Sequence, residues 1–324
     1  MKAAIMYPQG DGPHYAEVVE PVAQDDDQLV LRVSAAALKH FDGGRAKGTH
    51  YSSQPNHAQP AQVIGGDAVG TLPDGTRVFA LGVGGTLAER ALIDRRRLVA
   101  LPPHLDDATA AALPNAVIGA GMALRFRAGI QPGETVLING ATGFTGRVAV
   151  QLAKHYGAGH VIATGRNPAS LQALLALGAD KVLSVQQAEE AFVAQLQALH
   201  TSSPIDVLID YLWGHSAELL LRALQGTGSF THRVRFVSVG TMLGDSVALS
   251  GATLRSTDLH LSGSGLGSWS RQEVSHLFAE MLPEAFQLAA AGRLLVETVT
   301  VPLADIARVW EIAVPAGARL VVLP

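Results

Sequence analysis

From about residue 115 onward, short apolar runs alternate with helical patterns. The runs at 135–139, 160–164, 181–185, 207–211, 235–239 and 259–263 are rich in Val, Ile and Leu. Strict alternation is missing, as expected of strands buried on both faces. Helical patterns lie between the first five runs. One covers 143–156. Another covers 168–177, with Pro168 in its first turn and Gly178 just past its end, where a C-cap glycine belongs. Such strand–helix repetition predicts an α/β fold with a doubly wound parallel sheet. The first hundred residues follow another grammar. Residues 29–33 alternate weakly, 76–81 follow the turn Pro73-Asp74-Gly75, and glycine pairs recur at Gly43-Gly44, Gly65-Gly66 and Gly84-Gly85. This predicts an irregular, mostly β unit. The tail predicts a helix at 272–291, a strand at 294–301, a helix at 303–314 and a last strand at 319–323.

At 324 residues the chain predicts two domains of ~150 residues each. A hydrophobic share of 48% excludes intrinsic disorder. The net charge of −4 gives no general attraction to nucleic acid or anionic lipid, so neither is expected as a partner. With 0 cysteines, disulfides, thiolate catalysis and Cys-based metal sites are excluded. No apolar run approaches the ~20 residues that span a bilayer. The opening Met1-Lys2-Ala3-Ala4-Ile5-Met6-Tyr7-Pro8 is too soon broken for a signal peptide, so a soluble cytoplasmic protein is expected. The charge runs Asp25-Asp26-Asp27 and Arg95-Arg96-Arg97 read as solvated turns.

The most informative stretch runs from the strand Thr135-Val136-Leu137-Ile138-Asn139 into Gly140-Ala141-Thr142-Gly143-Phe144-Thr145-Gly146 and a helix. Gly140 permits a tight turn. Gly143 lets backbone N–H groups approach a pyrophosphate. Gly146 lets the helix pack close to the strand, and the helix N-terminus offers donors and partial positive charge. Two residues separate the first two glycines, a departure from G-x-G-x-x-G. The second strand ends Thr164-Gly165-Arg166-Asn167, with Ser170 one turn on. A site for NAD places Asp or Glu there to bond the ribose 2′-hydroxyl. Arg166 instead suits a 2′-phosphate, which points to NADPH.

At these residues the chain resembles the zinc-free quinone oxidoreductase branch of the medium-chain dehydrogenase/reductase superfamily. Further markers are Met1-Lys2-Ala3, Ile64-Gly65-Gly66-Asp67-Ala68-Val69-Gly70, Ala110-Ala111-Ala112-Leu113-Pro114, Gln131-Pro132-Gly133-Glu134, Leu177-Gly178-Ala179-Asp180, Ile205-Asp206-Val207-Leu208-Ile209-Asp210 and Gly317-Ala318-Arg319-Leu320-Val321-Val322. The resemblance implies a Rossmann domain at 115–267 inserted between two parts, 1–114 and 268–324, of a GroES-like, mostly β catalytic domain. The catalytic zinc ligands of metal-dependent relatives fall at Lys39, Gly66 and Asn115, none of which is Cys or His. No metal is therefore expected.

Without metal or thiol, hydride transfer needs an acceptor that is already electrophilic, such as a quinone or an α,β-unsaturated carbonyl. A donor or cation near the developing oxyanion would stabilise the transition state. Lys39 stands where quinone reductases usually carry Asn, and Tyr51 lies near a tyrosine position of relatives; both are catalytic candidates. Lys39 reads equally as an exposed loop residue. Gly44 replaces a second family tyrosine. Asp210, Val239-Gly240-Thr241 and Gly263-Ser264 close fourth, fifth and sixth strands, where ligands gather in open α/β sheets. Asp210 reads alternatively as a helix cap, and Trp213 as packing or ligand contact. The expected function is NADPH-dependent, zinc-independent hydride transfer to quinones or α,β-unsaturated carbonyls. Its alternatives are an enoyl-thioester reductase and a non-catalytic, crystallin-like NADPH-binding protein. A homodimer through the sixth strand is expected, because 259–263 alternates at a sheet edge without a Pro or Lys guard.

Overall fold

The computed structural model describes residues 1–7, 12–39, 61–226, 228 and 230–324. The chain divides into two compact units, Met1–Asn115 with Phe278–Pro324, and Ala116–Leu277.

Among the described residues the first unit begins with seven strands: β1 (Lys2–Met6), β2 (His14–Glu17), β3 (Gln28–Ala37), β4 (Gln62–Val63), β5 (Asp67–Thr71), β6 (Arg77–Gly82) and β7 (Arg90–Ala100). β1 is the centre of a three-stranded sheet, β2-β1-β4. β3 pairs antiparallel with both β5 and β7, which curls the larger sheet around Leu31, Val78, Leu87 and Ile93. Close backbone approach sets one glycine here: a Cβ on Gly70 would lie 2.1 Å from the Arg32 carbonyl oxygen. The run Arg95–Arg97 is solvated, as expected, but lies inside β7 rather than in a turn: all three side chains are exposed on this stretch of the strand, and Arg96 pairs with Asp94 and Asp27.

Helix α1 (Asp107–Met122) carries the chain into the second unit. There follow β8 (Thr135–Asn139), α2 (Phe144–His155), β9 (His160–Gly165), α3 (Pro168–Ala176), β10 (Lys181–Ser184), α4 (Glu189–Ser202), β11 (Val207–Asp210), α5 (Gly214–Ala223), β12 (Val234–Ser238), α6 (Gly251–Ser256) and β13 (Leu259–Gly263). The expected parallel sheet is present, in the order β10-β9-β8-β11-β12-β13. Every residue of β8 is buried, as its unbroken apolar run requires. One half of the sheet grows from β8 toward β10 and the other from β11 toward β13. Their divergence leaves a topological switch point at the carboxyl ends of β8 and β11. A core of Leu137, Ile162, Leu208, Leu220 and Phe236 lies against one face of this sheet. Neither α1 nor α6, between the fifth and sixth strands, has a counterpart in the sequence pattern.

The tail begins with α7 (Arg271–His276), opened by a capping box in which Ser270 accepts from the Glu273 amide. A π-helical stretch over Leu277–Met281 joins it to α8 (Leu282–Ala290), so the expected helix at 272–291 is interrupted by one wide turn. The segment Leu303–Glu311 winds as a 3₁₀-helix; its buried residues Leu303, Ile306 and Val309 recur every three positions, which is that helix's period. β14 (Glu297–Pro302) runs parallel to β15 (Ala318–Leu323). β15 in turn pairs antiparallel with β3, Val321 opposite Ala37 and Val322 opposite Ala36. The sheet of the first unit is thereby completed in the order β14-β15-β3-β5-β6-β7. No helix among the described residues is long and apolar enough to cross a membrane.

Candidate functional site

The glycine turn sits at the carboxyl end of β8, beside the switch point, and its three glycines meet three different demands. Gly140 has φ +79°, and a Cβ there would also strike the Leu212 side chain at 2.9 Å. Gly146 packs so close to the turn that a Cβ would lie 2.6 Å from the Ala141 Cα. Gly143 differs. Its backbone is extended, at φ −74° and ψ 165°, and a Cβ would meet nothing of the chain nearer than 3.8 Å. Internal packing therefore leaves Gly143 free to carry a side chain, and the space a Cβ would fill stays open toward solvent. Gly143 is also the N-cap of α2 and has no side chain to cap it. Thr142 and Phe144-Thr145 flank this opening, while Ala141 is buried with its amide bonded to the Thr164 carbonyl at 3.0 Å. A pyrophosphate fits such a cradle, having acceptor oxygens for a helix N-terminus.

Gly165 ends β9, packed so tightly that a Cβ would lie 2.4 Å from the Thr142 methyl. Arg166 follows, exposed, and makes no hydrogen bond or ion pair to the described residues. Asn167 and Ser170 are engaged with each other: the Asn167 Oδ1 accepts from the Ser170 amide at 2.9 Å and caps α3. No acidic side chain lies between Gly165 and Ser170.

Beneath the turn lies a buried polar network. Asn139 Nδ2 donates to Asp210 Oδ1 at 2.8 Å and to Ser216 Oγ at 3.0 Å. The Thr164 hydroxyl donates to Asn139 Oδ1 at 2.6 Å and accepts from the Gly140 amide at 3.2 Å. Asp210 is fully buried. Oδ1 also accepts from the Leu212 amide at 3.0 Å, and Oδ2 from the Trp213 amide at 3.1 Å. Burial pushes its carboxyl up, although the Leu212, Asn139 and Trp213 donors pull the other way. Asp210 thus holds the turn that precedes α5 and does not itself reach solvent. Trp213 is half-buried, its indole set edge-on to Phe236 at 6.1 Å. Its backbone stands at φ 57° and ψ −159°, a region that non-glycine residues occupy at a cost of ~1–3 kcal/mol. Neighbouring Tyr211 is buried, and burial pushes its hydroxyl up.

The loop after β12 lies against this turn. A Cβ on Gly240 would sit 2.6 Å from the Tyr211 carbonyl oxygen, and the Leu243 amide donates to the Leu212 carbonyl at 2.8 Å. Val239 and Gly240 both bond through their amides to the Asp210 carbonyl, and Thr241 beyond them is exposed. Beyond β13, the Ser264 amide bonds to the Ser238 carbonyl at 2.8 Å, and the Ser264 hydroxyl accepts from the Trp269 indole at 3.2 Å. Gly263 is exposed beside it.

In the first unit Lys39 is buried and ion-paired with Asp67, also buried, so it is not an exposed loop lysine. Gly66, next to Asp67, is half-buried. Tyr51, with Gly44, lies outside the described residues. Sequence reasoning missed Asn139, Thr164 and Ser216. The signal was present for the first two, a lone polar residue closing an otherwise apolar strand beside a glycine.

Comparison with known proteins places these features in context. Residues 145–285 match the family model described as zinc-binding dehydrogenase, a span that excludes Lys39, Gly66 and Asn115. A probable NADPH-dependent quinone reductase of Emericella nidulans is 26% identical over 96% of this chain and 96% of its own length. The spectinabilin polyketide synthase system protein NorB of Streptomyces orinoci is 33% identical over 86% of this chain, which corresponds to 12% of that protein's length. Among solved structures, the quinone oxidoreductase of Thermus thermophilus, determined also in complex with NADPH, matches at 28% identity. Its TM-score is 0.80, with 100% of both chains covered.

Proposed function

The chain belongs to the medium-chain dehydrogenase/reductase superfamily as a quinone oxidoreductase-like member, and from that membership we propose an NADPH-dependent, zinc-independent oxidoreductase that passes hydride to quinones or α,β-unsaturated carbonyls. The observation that carries this reading is the pair formed by the glycine turn, open only at Gly143, and the unopposed Arg166 at the end of β9. NADPH, when bound, supplies the hydride. The chain's own residues bind and orient. The α2 N-terminus and the Gly143 opening receive the pyrophosphate, and the Arg166 guanidinium meets the 2′-phosphate, where an acid would repel it. Thr142, Phe144, Thr145, Gly165 and the loops at Val239–Thr241 and Gly263-Ser264 line the carboxyl ends of the strands beside it.

For the acceptor, Lys39 is the proposed catalytic group. Its ammonium, held by Asp67, offers a proton and positive charge to an oxyanion. Tyr51 remains a second candidate from the sequence. Zinc independence is proposed because Lys39, Gly66 and Asn115 supply no zinc-type ligand set. A second reading, reduction of enoyl thioesters, is favoured by the match to a polyketide synthase protein. The test is NADPH and NADH oxidation across benzoquinones, enones, enoyl-CoA and aldehydes, with zinc content measured on the same protein. Turnover of quinones or enones with NADPH preferred, and no stoichiometric zinc, is expected. Equal use of NADH, or chelator-sensitive turnover with about one zinc per chain, overturns the reading.

A further inference from the structure

We propose that Asp210 is a positioning residue for the glycine turn, holding Trp213 in a glycine-only backbone conformation and, through Asn139 and Thr164, fixing the amide of Gly140. This rests on the reading that the turn seats the phosphates of NADPH.

The argument starts from what a carboxylate can do. Asp210 only accepts, so it dictates the sense of every bond in the buried chain that reaches it. Asn139 must present Nδ2 to Asp210 Oδ1, at 2.8 Å, and therefore turns Oδ1 the other way. That oxygen can only accept, so the Thr164 hydroxyl donates to it, at 2.6 Å. The Thr164 oxygen is then left with a lone pair for the Gly140 amide, at 3.2 Å. The polarity of the floor under the glycine turn is thus set by one buried charge two side chains away.

The other carboxylate oxygen works on the opposite side. Asp210 Oδ2 takes the Trp213 amide at 3.1 Å. A tryptophan adopts φ 57°, ψ −159° only when its surroundings impose it. Leu212, between these anchors, lies against Gly140, where a Cβ would meet its side chain at 2.9 Å. Both arms of the network therefore end on Gly140, one through hydrogen bonds and one through packing. Asp210 is too buried to touch a ligand, so it acts only through these neighbours.

The experiment compares NADPH affinity of folded protein, by fluorescence titration, with thermal midpoints measured alongside. Asp210→Asn keeps the shape but turns a donor toward the Trp213 amide; NADPH should bind about tenfold more weakly. Adding Trp213→Gly to it should restore most of the loss, because glycine needs no carboxylate to hold that conformation. Thr164→Val should weaken binding about three- to tenfold, and Thr164→Ser, which keeps the hydroxyl, should not. A merely structural role would lower the thermal midpoints of Asp210→Asn and Thr164→Val while leaving the affinity of the folded proteins as in the parent; that result overturns the proposal. An intact chain that does not bind NADPH strikes the proposed function instead.

Discussion

At the scale of single residues, Gly143 and Gly146 make opposite predictions. Gly146→Ala would drive a Cβ to 2.6 Å from the Ala141 Cα and should cost about 1–3 kcal/mol of stability, read in denaturant unfolding. Gly143→Ala meets nothing nearer than 3.8 Å and should change stability by ~0.5 kcal/mol or less, yet on the proposed function it should impair NADPH binding severely, because the new methyl would occupy the place proposed for the phosphate. Arg166→Ala should weaken NADPH binding by about 1.5–3 kcal/mol and leave NADH binding unchanged, as paired titrations would show. A third residue reports on acid. Burial, and then the charge of His232, lower the pKa of His200, against a smaller pull from Asp206. Its neutral Nδ1 accepts from the Ile205 amide at 3.0 Å. The unfolded chain binds that proton more readily. The contribution is therefore complete above pH 6.5 and is lost as pH falls through the lower folded value. Replacing His200 with Gln should flatten the fall in thermal midpoint below pH 6.5. The turn at Gly140 and the close packing at Gly146 were readable from spacing, because each follows from the absence of a side chain. The roles of Asn139 and Thr164 were not, since the carboxylate that orients them lies far along the chain.

At the scale of elements, β13 carries the sharpest expectation. Among the described residues it pairs with β12 on one side only, and four of its five residues are exposed, Leu261 among them at 39%. An edge of this kind, without Pro or Lys, is suited to pairing with a second copy. Leu261→Pro should lower the native mass measured by light scattering from dimer to monomer; a monomeric parent at micromolar concentration would dispose of the dimer. The central strands β8, β9 and β11 were readable because burial on both faces demands unbroken apolar runs, whereas the exposed β13 shows that the same pattern at 259–263 does not mean burial. The tail was less so. Helical periodicity at 272–291 carries no mark of the π stretch at Leu277–Met281. The segment at 303–311 hides a period of three inside one that resembles 3.6.

At the scale of the molecule, one strand pairing joins segments far apart in the chain. β3 is complete within the first 37 residues, yet its partner β15 starts at Ala318. During translation the whole of Ala116–Leu277 emerges in between, which at ~5–20 residues per second takes on the order of ten to thirty seconds. The second unit is contiguous and can fold as it emerges. The first must keep the Ala36-Ala37 edge of β3 open throughout, as a nascent chain with an unsatisfied backbone. Ending the chain at Gly317 should leave that unit unfolded while the second still melts cooperatively, seen by calorimetry. Premature termination just before β15 would thus yield half-folded, aggregation-prone chains that still hold a finished second unit, and the handful of codons for Ala318–Leu323 decides the fate of a sheet begun almost three hundred codons earlier.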